Sequence, residues 1–211
     1  MQIYDKKFIS QAIFQKNLHD FRSFVAGNPH FMMKRLLLAA AALLLALAAS
    51  AQGHLSFEGM SLEGEYNTFT RIMRRNGFRF SSKDQQEPFM HGKVLGEEAE
   101  VTILVTPKTY QVYMLMVSYP QRSGWETLKN QYNSMKMKLY ARYGDPQMSV
   151  EQFSSPLAEN NPIAALEHGN ATFVSNYNVP GGEIILSLSK DARVQLYYMD
   201  AAGMALANAE Q

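Results

Sequence analysis

Residues Leu36 to Ala49 are an unbroken run of leucine and alanine, and this run decides how much of the 211-residue chain belongs to a fold. It is 14 residues long, and crossing a bilayer as a helix takes about 20. Met33-Lys34-Arg35 places two cations directly before it, and Ala49-Ser50-Ala51 follows it with small residues in an A-x-A pattern. Charge, length and small-residue exit together describe a cleavable secretory signal peptide over residues 33–51. Cleavage after Ala51 leaves Gln52 as the first mature residue. Residues 1–32 hold Phe8, Ile9, Ile13 and Phe14 but no second apolar run. They read as an upstream leader from a mis-called gene start, with translation beginning at Met32 or Met33. The alternative is a long n-region that is removed as well.

Removing 51 residues changes the charge. They carry six of the 20 Lys/Arg and two of the 19 Asp/Glu, which leaves 14 basic and 17 acidic residues, a net −3. A mildly acidic domain lacks the electrostatic footprint of a nucleic-acid binder. Its 160 residues suffice for a core without disulfides. The chain has no cysteine, so thiolate nucleophiles, thiolate metal sites and N-terminal lipidation on cysteine are excluded. The expected product is soluble in the periplasm or secreted, with no membrane attachment after cleavage.

Within 52–200 the pattern predicts a single α+β domain. Phe69, Ile72 and Met73 mark a helix over 65–76, ended by Gly77. Strands follow at Phe78–Ser81, Phe89–Leu95, Ala99–Thr106 and Tyr110–Tyr119, with a turn at 82–88. Ser123-Gly124-Trp125-Glu126 reads as a capping box. Trp125, Leu128, Tyr132, Met135 and Leu139 then form one apolar stripe, which Gly144 and Asp145-Pro146 terminate. Trp125 is expected in the core or at the helix–sheet seam. Four more strands are expected at Met148–Phe153, around Ala171–Tyr177, at Ile184–Leu188 and at Val194–Met199, with Gly181-Gly182 as a hairpin turn. The expectation is two helix-plus-four-strand units, 54–120 and 121–200, whose strands form one antiparallel sheet with both helices on one face. The end, 201–211, is expected as a flexible tail.

Gly77-Phe78 after the first helix, the Trp125-x-x-Leu128-Lys129-x-x-Tyr132 motif and the Tyr143-Gly144-Asp145-Pro146 ending resemble short exported bacterial proteins of tandem helix-plus-sheet build. That build is similar to β-lactamase-inhibitor-protein-like and small outer-membrane assembly lipoprotein domains. The resemblance implies the fold and is silent on activity. This chain has neither the disulfides of the inhibitor nor the lipidated cysteine of the lipoproteins.

Chemistry is sparse. His54, His91 and His168 lack the spacing of metal ligands, so no metal or other cofactor is expected. Glu98 and Glu100, one strand face apart by two, and His168 beside Glu167 are the candidates for an alternative, hydrolase-type reading. Tyr110–Tyr119 is apolar on both faces, more than a sheet backed on one side requires. The surplus, Tyr113, Leu115 and Tyr119 joined by Tyr177, Tyr197 and Met199, is expected on the open sheet face. Tyr and Met are favoured at recognition surfaces, so the expected function is a non-catalytic exported domain that binds a protein or peptide there. A carrier of an apolar small molecule would instead need an enclosed pocket of about 300 Å³ or more.

Overall fold

A computed structural model describes residues 53–80 and 89–211. The leader, the signal segment and the turn at 82–88 lie outside the described residues. The fold is α+β, built around a seven-stranded antiparallel sheet.

The chain opens with a short hairpin, β1 (Ser56–Phe57) and β2 (Met60–Ser61). Helix α1 (Tyr66–Arg75) follows, burying Phe69 and Met73 as their spacing predicts. Gly77 ends it at φ 91°, a left-handed conformation that costs glycine nothing. Strands β3 (Phe89–Val94), β4 (Glu97–Val105) and β5 (Val112–Ser118) form a meander. Of the strand expected at Phe78–Ser81, an isolated bridge between Arg79 and His91 is present.

Helix α2 (Trp125–Tyr143) is the longest element, and Leu128, Tyr132, Met135 and Leu139 are buried along one stripe. The expected capping box is absent. The helix starts one residue later than that box requires, Gly124 is its N-cap, and no side chain caps it. Strand β6 (Met148–Phe153) leads into two short helices, α3 (Pro156–Glu159) and α4 (Pro162–Glu167). Strands β7 (Ala171–Val179), β8 (Gly182–Leu188) and β9 (Val194–Asp200) complete the sheet. The strand order is β3-β4-β5-β9-β8-β7-β6.

The segment expected as a frayed tail is a helix, α5 (Ala201–Ala209). Its alanine-rich sequence shows no apolar stripe, so periodicity alone does not reveal it. Two carboxylates fix it. Asp200 accepts the N–H of Gly203 (2.7 Å) as an N-cap. Glu210 accepts the N–H groups of Lys108 (2.7 Å) and Thr109 (3.2 Å) and the Thr109 hydroxyl, tying the helix end to the β4–β5 turn. Gly203 has to be small, because a Cβ there would meet the Tyr113 Cα at 2.8 Å.

One core lies between the sheet and helices α1 and α2. Val101, Ile103, Leu115, Val117, Leu196, Tyr198, Ile184 and Leu186 share it with Phe69, Met73 and the α2 stripe. Trp125, Tyr132, Phe153 and Phe173 form an aromatic cluster at the α2–sheet seam, with centroids 5.2–6.1 Å apart. Tilted pairs of this kind each contribute about 0.5–1.5 kcal/mol beyond area burial.

Candidate functional site

The six residues expected to share the open sheet face are divided between its two sides. Leu115, Tyr119 and Tyr177 are buried in the core on the side covered by α1 and α2. The Tyr119 hydroxyl donates to Val94 O (3.1 Å), and burial pushes that phenol well above its ordinary range. Met199 and Tyr197 occupy the opposite side, only 7% and 9% exposed. Tyr113 is the exception to period two. Val105 pairs with Val112 but Leu104 with Met114, so Tyr113 is an extra, bulged residue. It is buried where Gly203 of α5 crosses. Alternation counted through a bulge puts Tyr113 on the wrong face, and the β5–β9 pairing that sets the relative phase of Tyr197 is not local.

The second face does carry an apolar row. The register aligns Phe89, Thr102, Met116, Tyr197, Ile185, Asn176 and Met148 across all seven strands. Tyr197 donates its hydroxyl to Gln195 Oε1 (2.7 Å), and burial pushes its pKa up to about 12. In the same row the side-chain oxygen of Asn176 is buried with no hydrogen-bond partner among the described residues. An orphaned acceptor costs about 1–3 kcal/mol until a donor reaches it.

Accessible large apolar side chains lie elsewhere: Leu157, Tyr110 and Leu206 singly, and two together on the outer side of α2. Met137 is 72% exposed and Tyr140 is 56% exposed, one helical turn apart. With Asn133, Lys136, Asp145, Pro146 and Tyr177 they line an open, mostly apolar cleft of about 400 Å³. The helix stripe implies this placement, since residues outside the Leu128–Leu139 face turn outward. Tyr177 closes the cleft from within, its hydroxyl donating to Lys136 O (3.4 Å). This is a surface groove, not a cavity between helix and sheet.

Polar groups converge in places that sequence spacing does not reveal. Asp200 is fully buried and accepts the Leu55 N–H (2.8 Å), the Gly203 N–H (2.7 Å) and a bond to His54 Nδ1 (3.0 Å). The partners lie 146 residues apart in the case of His54. A His–Asp pair is half of a nucleophilic triad, but here His54 Nε2 faces Glu63 at 3.4 Å instead of a hydroxyl. The pair fastens the start of the domain to α5. Glu98 and Glu100 sit opposite Lys93 and His91 on the β3–β4 hairpin. His168 ends α4, beside β7. Four strand spacings, about 19 Å, separate β4 from β7, so these groups do not converge. Among the described residues, no cluster of three or more His, Asp or Glu could hold a metal ion. No helix among them is long and apolar enough to cross a membrane.

No known protein family matches the chain, and neither curated proteins nor solved structures match it.

Proposed function

We propose that this protein is an exported, non-catalytic domain that binds a protein or peptide, and that the contact surface is the α2 cleft. The observation that carries this reading is the exposure of Met137 and Tyr140 beside Pro146 and Tyr177. Isolated apolar side chains on a surface need no explanation, but a contiguous group lining a groove does. Large, adaptable side chains of this kind suit recognition. Export rests on the sequence of 33–51, and N-terminal sequencing of the exported protein is expected to begin at Gln52. Finding Met1 there instead would remove the export reading.

The likeness to tandem exported domains of two helix-plus-four-strand units belongs to the same proposal. It is supported by the chain order, in which each helix is followed by a meander and the last strands of the two meanders, β5 and β9, pair at the sheet centre.

A second surface is favoured by the orphaned Asn176 oxygen within the apolar row of the other face. Photo-crosslinking groups placed at Met137, Tyr140 and Tyr197 separate the two surfaces. Capture of the same partner from Met137 and Tyr140, with none from Tyr197, is expected. Capture from Tyr197 alone moves the site to the sheet face, and capture from none of them overturns the binding reading.

A further inference from the structure

Strand β6 is an edge whose outward backbone groups have no partner among the described residues. Bonded and unbonded positions alternate along an antiparallel strand. Ser154 N–H donates to Asn170 O (2.8 Å), one step beyond the Phe153–Ala171 pair. Counting back by twos, Gln152 and Val150 bond to β7, so the N–H and C=O groups of Ser149, Glu151 and Phe153 point away from the sheet; at the start of the strand Gln147 N–H bonds to Asn176 O (2.8 Å). Their side chains share the α2 side with Ser175 and Phe173.

Two features overhang this edge. Lys129 and Lys136 both bind the Glu151 carboxylate, so two ammonium groups share one anion. Lys136 also reaches Ser149 Oγ (3.1 Å). Toward the start of β6, where Asp145 and Pro146 lead into the strand, lies the cleft of Met137 and Tyr140.

We infer that β6 accepts an extended peptide segment of a partner protein as an eighth strand. An acidic side chain of that segment lies beside Lys129 and Lys136. An aromatic or aliphatic side chain, an even number of residues away, enters the Met137–Tyr140 cleft. The inference rests on the binding reading above and specifies its mode: main-chain bonds supply adhesion, and pockets for alternate side chains supply selectivity. Charge selects the occupant. Pairing β6 with a second copy of itself would gather four lysines around two glutamates on one face, and like charges across a ladder repel.

The test uses the purified full chain and a capped synthetic peptide of threonines carrying one aspartate and, four residues away, one phenylalanine, made in both chain directions. A matched peptide carries lysine for aspartate. Saturable binding is expected, about tenfold or more weaker for the lysine peptide, with amide exchange slowed at Ser149, Glu151 and Phe153. Ser149→Pro removes an outward N–H and is expected to lose that binding. The double variant Lys129→Glu, Lys136→Glu keeps the backbone and is expected to reverse the charge preference. Peptide binding that Tyr140→Ala weakens, without slowed exchange on β6, overturns strand addition and leaves the cleft reading standing. Failure of every peptide, together with empty crosslinks at Met137 and Tyr140, overturns both. A concentration-dependent dimer that protects the same three amides replaces the partner with a second copy and overturns the inference.

Discussion

At one edge of the sheet Arg79 exchanges two backbone bonds with His91 (2.8 and 2.7 Å), and Phe78 lies over Gly92 of β3. At the other edge β6 shows its outer backbone to solvent beneath a Lys–Glu–Lys cluster. Both edges face the same hazard, a row of unpaired donors and acceptors. The first is closed at His91 by an earlier segment of the chain; the second, among the described residues, is guarded by charge. A closed edge contributes stability, whereas a charged, open one contributes selectivity over what is allowed to pair with it.

The contrast can be broken by substitution, beginning with the strongest effect. Gly92→Val would drive a branched side chain into the Phe78 ring, and a loss of about 2–3 kcal/mol in urea denaturation is expected. Arg79→Pro deletes the donor to His91 O and should cost about 1–2 kcal/mol, with faster aggregation as β3 opens. The matching change on the other edge, Ser149→Pro, removes an N–H that bonds to nothing in the sheet; less than about 1 kcal/mol is expected. Equal losses for the two prolines would erase the distinction between the edges.

The smallest effect sharpens the comparison through pH. Burial works to raise the Glu151 pKa, but the hydrogen bonds from Lys129 and Lys136 outweigh it and hold the carboxyl below its ordinary 4.5. Glu97, nearer the closed edge, is held low in the same way by Gln131 and Lys138. A carboxyl whose folded pKa is depressed adds stability that is present above its unfolded value and lost as pH falls through the folded one. Both pairs are partly exposed, so Glu151→Gln and Glu97→Gln should each cost about 0.5 kcal/mol at neutral pH. Each should also flatten the fall in stability below the ordinary carboxylate range. If Glu151→Gln leaves the acid limb unchanged, the lysine cluster does not hold that carboxyl.

Both main helices were legible because their apolar residues recur at three and four and a glycine ends each stripe. Trp125 at the α2–sheet seam follows from the same stripe. Most strands were legible from alternation. The bulge at Tyr113 was not, because one inserted residue changes phase without changing composition. Neither was α5, which has no apolar stripe and whose end is held by Glu210 bonding to Lys108 and Thr109 about a hundred residues away. The cleft was half visible: the α2 stripe turns Met137 and Tyr140 outward, but meeting Pro146 and Tyr177 depends on how β6 and β7 pass beneath the helix. Tyr177 is the one member of the expected site that reaches it.

Strand β9 follows every other strand in the chain and yet lies between β5 and β8. While a ribosome is still making residues 194–200, the two meanders have no common member and cannot zip together. Asp200, which secures Leu55 near the start of the domain, arrives at the same late moment. The order of synthesis therefore delays closure of the sheet until almost the whole domain has emerged.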